Sequence, residues 1–180
     1  MRKVKGSMIK IFVKAVRADK SGVYDKYLTD KDKEIISEKI FDSAWYPFET
    51  YKNCFNAVAT VFARGNLEII KKWGVDVGKD LMEKIYMPSL ARKDLKSSLQ
   101  LYNRLFKLWF NFGRQSIEFL SDNEVNLTYE DFDTEFEYFY HTARGWLESA
   151  LKLLIGKKID TKFLAKSWEG DKATVINITV

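Results

Sequence analysis

The chain opens with apolar residues recurring at helical spacing. From Ser7 to Arg17, Met8, Ile11, Phe12, Ala15 and Val16 alternate with lysines, which predicts an amphipathic helix. "SGVYDKYL" and "TDKDKEIISEKIF" predict two further short helices, the second capped by Thr29 or Asp30, whose side-chain oxygens accept from the open N–H groups of a first turn. In "WYPFETYKNCFNAVATVFARGN" Pro47 stands near a helix start, where its missing N–H costs nothing, and Gly65-Asn66 closes the helix. Phe48, Tyr51, Phe55, Val58, Ala59 and Phe62 form the stripe it buries. "NLEIIKKWGVDVGKDLMEKIYM" predicts one or two helices stopped at Met87-Pro88, because the residue before proline avoids helical dihedrals. In "DLKSSLQLYNRLFKLWFNFG" the pattern is strongest: Leu95, Leu99, Tyr102, Leu105, Phe106, Trp109 and Phe110 share a face, and Gly113 ends the helix.

The period then changes from helical to alternating. Ile117 and Phe119, then Val125, Leu127 and Tyr129, alternate around the polar turn "SDNE" and predict a hairpin. A helix from Tyr140 to Ile155 follows, stopped by Gly156. Ile159 and Phe163, then Val175, Ile176, Ile178 and Val180, predict a second hairpin turning at Glu169-Gly170-Asp171. The fold class is therefore α+β: an amino-terminal helical layer followed by ββαββ, forming a four-stranded antiparallel sheet with a helix packed on it. No linker, repeat or low-complexity tract divides the chain. We read one domain over residues 1–180, helical to about residue 113 and sheet plus helix beyond.

Composition narrows the function classes. Aromatic residues make up 15% of the chain, enough to fill a large core or line a cavity. The net charge of +5 is uneven. Arg2, Lys3, Lys5, Lys10, Lys14, Arg17 and Lys20 crowd the amino terminus, whereas Glu118, Asp122, Glu124, Glu130, Asp131, Asp133, Glu135 and Glu137 run without an intervening Lys or Arg. So large an acidic block in one small domain argues against nucleic acid as the main partner. Cys54 is the only cysteine, which excludes an internal disulfide and a cysteine-based zinc or iron–sulfur site and fits a reducing compartment. Lys10 and Lys14 interrupt the only candidate leader, and no apolar run is long enough to span a membrane, so the expected location is cytoplasmic.

Familiar chemical motifs fail on inspection. "GVDVGKD", Gly74 to Asp80, is one residue short of a phosphate-binding loop, lacks the hydroxyl residue after Lys79 and follows a helix. "DFDTEFEYFYHT" spaces Asp131, Asp133 and Glu135 as a calcium loop does, but Phe136 stands where glycine is needed and Thr142 where a bidentate Glu is needed. It reads instead as a solvated acidic edge. His141 is the only histidine, so no catalytic set can be built away from it, and Cys54 falls in an apolar stripe. The sequence gives no catalytic residue and no metal site, and the expectation is that the chain is not an enzyme.

Read end to end, the chain resembles the superfamily that joins haem nitric-oxide-binding domains with vinyl-reductase-like small-molecule-binding domains. Within it, the chain is most similar to a paralogous family of this length found in Myxococcus and its relatives. "VKGSMIKIFVKAV" resembles the first helix of these proteins and "SAWYPFETYKNCFNAV" a Trp-Tyr-Pro helix start. "IIKKWGVDVGKDLMEKIY" resembles a helix with a central glycine, and "LWFNFG" a Trp followed by a closing glycine. "ARGWLESALKLLIGKKIDTKF" resembles the glycine-led final helix and the strand after it. The resemblance implies a pocket that senses or carries a small apolar ligand.

Two departures bear on haem. The resemblance implies a proximal histidine upstream of the sheet, and no histidine precedes His141. It also implies a Tyr-x-Ser-x-Arg set for the haem propionates; Tyr140-His141-Thr142-Ala143-Arg144 echoes it, but here Arg144 abuts Gly145-Trp146. The expectation is a bacterial, haem-free sensor or signalling domain whose ligand-pocket candidates are Trp45, Tyr102, Phe106, Trp109, Phe110, Tyr140, Arg144 and Trp146. Two alternatives stand beside it: a haem gas sensor using His141 or a tyrosine, and a ligand-free interaction module that acts as a homodimer or through a signalling partner.

Overall fold

The computed structural model describes residues 1–83 and 94–180, so the predicted helix stop at Met87-Pro88 lies outside the described residues. The chain forms two compact units, one of residues 1–66 and 106–112, the other of residues 67–105 and 113–180.

The first unit contains β1 (Lys3–Lys5), α1 (Gly6–Ala18), α2 (Asp30–Ser37), β2 (Trp45–Pro47) and α3 (Phe48–Val61). Trp45 to Pro47, read from sequence as a helix start, is an extended strand paired antiparallel with β1 through Val4 and Tyr46. Pro47 is the N-cap of α3 rather than its first residue. Three-residue strands carry too little alternation to announce themselves. On α1 the buried positions are Gly6, Ile9 and Val13; of the residues assigned to the apolar face, Met8, Phe12, Ala15 and Val16 are half-buried and Ile11 is 54% exposed. Phe62, assigned to the stripe of α3, stands just past the helix end and is 71% exposed.

The rest of the α3 stripe is buried, with the Phe12 ring stacked on Phe55 and the Phe48 ring edge-on to Phe110 and Phe112. Thr29 caps α2 in a reciprocal box with Asp32. At its other end, the Arg17 guanidinium donates to the Ile36 and Glu38 carbonyls, so part of the basic amino-terminal cluster is used in capping.

The second unit contains α4 (Leu67–Leu81), most of α5 (Leu95–Trp109), β3 (Arg114–Ser121), β4 (Glu124–Glu130), α6 (Glu137–Ile155), β5 (Asp160–Ala165) and β6 (Thr174–Thr179). The strands form one antiparallel sheet in the order β3-β4-β6-β5, the α+β arrangement expected. Val125, Leu127 and Tyr129 face inward with Ile176 and Ile178, and the helix α6 brings Phe139 and Tyr140 against Tyr129. At the outer end of the first hairpin Phe119 is 42% exposed, so the inward row of β3 is not covered along its whole length. α5 ends at Trp109, short of Gly113, which adopts positive φ before β3.

α6 begins at Glu137, earlier than the apolar pattern indicates, and this places Gly145 inside the helix rather than at its start. There it meets α4 at very short range: a Cβ on Gly145 would lie 2.0 Å from the Lys71 carbonyl oxygen, and one on Gly74 would lie 1.9 Å from that of Thr142. Gly78, one turn on, has the Ser149 hydroxyl 2.4 Å from where its Cβ would be. The two glycines that mimic a phosphate loop are thus contact points between helices. Bonds across the same seam hold it: Lys71 pairs with Glu148 at 2.9 Å, and the Thr142 hydroxyl reaches the Ile70 carbonyl at 3.3 Å.

Candidate functional site

The inner face of the sheet carries polar aromatics where an ordinary core has aliphatic residues. β4 projects Tyr129 inward, and helical spacing on α5 turns Tyr102 toward it; the two hydroxyls hydrogen-bond at 2.5 Å in full burial. The Trp146 ring lies against Tyr102 with centroids 4.9 Å apart, and Tyr140 is edge-on to Tyr129 at 5.4 Å. Burial pushes the phenols of Tyr102 and Tyr140 up to about 12 and that of Tyr129 well above its ordinary value, so all three are neutral.

Gln115 completes this centre and was not singled out from sequence. It sits on β3 directly opposite Tyr129, 7% exposed, and hydrogen bonding with its amide draws Tyr102 and Tyr129 back from where burial alone would put them. The signal was available: alternation through Gln115, Ile117 and Phe119 puts a polar residue on an inward row.

A second set of contacts joins the first through Tyr140. The Tyr140 hydroxyl donates to the Asp133 carbonyl at 2.7 Å, and its ring stacks on Trp168 at 5.3 Å. Asp133, read from sequence as part of a solvated acidic edge, is only 6% exposed, with Phe132 and Phe136 buried around it. Arg144 donates to the Thr161 hydroxyl at 3.1 Å and to its carbonyl at 2.7 Å, and lies over the Phe163 ring at 4.7 Å. The same Thr161 hydroxyl donates to Glu148 at 2.5 Å, tying β5 to α6. Arg144 is thus a clamp between elements.

His141 packs edge-on to Phe163 at 5.1 Å and beside Trp168 at 5.9 Å, with Glu137 3.9 Å from its Nε2. Burial, reinforced by Arg144, pushes its pKa down to about 4. Cys54 is fully buried in the first unit, and burial raises its thiol to about 12.

The predicted pocket set therefore divides. Tyr102, Tyr140, Arg144 and Trp146 belong to the second unit, and the first and last of these are in contact. Phe106, Trp109, Phe110 and Trp45 belong to the first or to the part of α5 assigned with it. Phe106 and Phe110 are buried there with rings 5.0 Å apart, Trp109 is half-buried, and Trp45 is 40% exposed beneath the Lys5 ammonium at 4.1 Å. Among the described residues no group of three His, Cys, Asp or Glu side chains is placed to hold a metal ion, and no helix is long and apolar enough to cross a membrane.

No protein-family model matches the chain, and no curated protein matches it in sequence. Solved structures match throughout its length. An Fe(II) unliganded H-NOX protein mutant from K. algicida superposes with a TM-score of 0.66 at 13% identity, covering 97% of this chain and 95% of that one. An H-NOX protein mutant from S. oneidensis in the Fe(II) ligation state gives 0.65 at 14% identity, covering 97% and 95%. An oxygen-binding H-NOX domain related to soluble guanylate cyclases gives 0.60 at 15% identity, covering 97% and 94%. At these identities the likeness is one of fold: the chain has the architecture of H-NOX domains.

Proposed function

We propose that this chain is a non-enzymatic, haem-free sensor domain that uses the H-NOX architecture to bind a small, largely apolar molecule among α5, α6 and the inner face of the sheet. One observation carries the reading: the inner face of the sheet meets α5 and α6 in a buried centre of polar aromatics, Tyr102, Tyr129, Tyr140 and Trp146, with the Gln115 amide among them. Aromatic walls with a few placed polar groups are what small-molecule sites are made of.

The residues fit haem poorly. The haem-binding branch of the superfamily that the sequence resembles uses a histidine upstream of the sheet, and here the helices before the sheet contain none. His141 stands on α6, packed among Phe163, Trp168 and Arg144. A tyrosine binds iron as its phenolate, and burial holds Tyr102, Tyr129 and Tyr140 away from that form. On the same grounds we place the chain with the haem-free side of the superfamily, nearest the Myxococcus-type family. Ligand occupancy would then be read out by a signalling partner or a second copy of the domain in the cytoplasm.

Two measurements test this. Native mass spectrometry of freshly purified protein should show a retained or exchangeable small molecule, and addition of haem should give no Soret band. A stoichiometric Soret band lost on His141→Ala or Tyr102→Phe would replace this reading with the haem-sensor alternative.

A further inference from the structure

A groove outside the aromatic centre carries a charge that its neighbours do not balance. It has a volume of about 470 Å³ and lies within the second unit, lined by the later parts of α4 and α6 and by the chain entering β5. Its apolar lining comes from Val75 on α4, Leu153 on α6 and the buried Ile159. Three lysines, Lys79, Lys152 and Lys158, share it with the carboxylates of Glu148 and Asp160. Both carboxylates are already matched. Glu148 is held by Lys71 at 2.9 Å and by the Thr161 hydroxyl at 2.5 Å, and Asp160 is held by Lys158 at 2.8 Å. Lys79 reaches Glu83 at 4.0 Å. Lys152 alone of the three pairs with no carboxylate among the described residues. It stands in the last turn of α6, whose open carbonyls supply only partial negative charge.

We propose that this groove binds a small organic monoanion with an apolar body, of the aromatic carboxylate class, its carboxylate at Lys152 and its body on Val75, Leu153 and Ile159. The charge balance sets the valence: with every other cation of the groove matched one to one, a single negative charge is wanting. The apolar lining sets the body, because an anion without one would leave Val75 and Leu153 in water. A volume in this range takes a molecule of one or two rings. An ammonium is a compact point charge rather than a planar fork, so selection falls on charge and apolar fit together. A cation of the same shape would meet like charge at Lys152, and a neutral molecule would forgo the attraction. The groove is separate from the aromatic centre, and the proposal does not rest on the reading given above.

The test titrates the full chain with 2-naphthoate, 2-naphthylmethanol and acetate, followed by backbone amide and lysine side-chain resonances. 2-Naphthoate is expected to shift Val75, Leu153, Ile159 and the Lys152 side chain, and to bind about tenfold more tightly than the alcohol. That preference should shrink as salt is added. Lys152→Met, which keeps the stem and removes the charge at an exposed position, is expected to bring the naphthoate-to-alcohol affinity ratio to about one, whereas Lys72→Met, outside the groove, leaves it unchanged. The comparison of the three probes on the unaltered chain stands even if a variant fails to fold. Alcohol or acetate binding as tightly as 2-naphthoate overturns the proposal, as does a ratio that Lys152→Met does not move. Shifts confined to the surroundings of Tyr129 and Tyr102 overturn the groove while upholding the aromatic centre, and no binding of 2-naphthoate at all overturns the groove alone.

Discussion

A hydroxyl pair in a dry interior is a mutual dependence. Removing one hydroxyl of Tyr102 and Tyr129 strands the other without its partner, whereas removing both leaves two phenylalanines in a compatible aromatic setting. Tyr102→Phe and Tyr129→Phe should each lower stability by about 1–3 kcal/mol, and the double variant by less than the sum of the two, as read from urea midpoints in a double-mutant cycle. His141 carries a pH dependence at the same scale. In the unfolded chain its imidazole takes up a proton near 6.5, whereas in the folded chain burial and Arg144 delay this to about 4. The unfolded state therefore binds more protons in that window, and the folded state loses stability as pH falls from 6.5 toward 4. His141→Gln should flatten this part of the stability profile, most visibly above pH 5 where few carboxylates titrate. An unchanged slope would show that the imidazole is freer than its packing indicates.

Among the elements, the crossing of α4 and α6 has the least tolerance. At an unobstructed helical position, replacing glycine with alanine gains about 1 kcal/mol. At Gly74 the added methyl would meet the Thr142 carbonyl at 1.9 Å, a backbone atom with no rotamer to yield. Gly74→Ala and Gly145→Ala should instead cost about 3 kcal/mol or more, seen as a drop in melting temperature, because the helices can relieve the overlap only by moving apart. The sheet shows the opposite economy. Its other face is held by side-chain bonds across strands, the buried Asn177 donating to Glu124 and Asn126 at 3.0 Å each, between side chains that can turn.

Across the molecule, what the sequence made legible follows from periodicity. Helices of thirteen or more residues with an apolar face, such as α1 and α5, and strands alternating around a polar turn, such as β3 and β4, were readable because burial imposes a period on them. The strands β1 and β2, each of three residues, have no period to show. The candidate site was half legible. Tyr102 and Trp146 stood out as aromatics, but their contact joins residues from separate helices, and the partnership of Tyr102 with Tyr129 depends on a strand register that composition does not encode. Gly74 and Gly78 were legible as glycines within a helix and Gly145 was read as leading one, but their shared role is not written in either stretch, since close approach of two backbones becomes evident only when both helices are in view.

That close approach also has a consequence in time. Trp146 lies on the seam, its backbone N 2.9 Å from where a Cβ on Gly74 would be, while its ring lies on Tyr102. With backbones interlocked there, α4 and α6 have no independent route to partial opening. The amide hydrogens of Val75 to Gly78 and of Gly145 to Ser149 should accordingly exchange with solvent deuterium through one shared opening event, slowed together when Trp146 is held by a bound molecule.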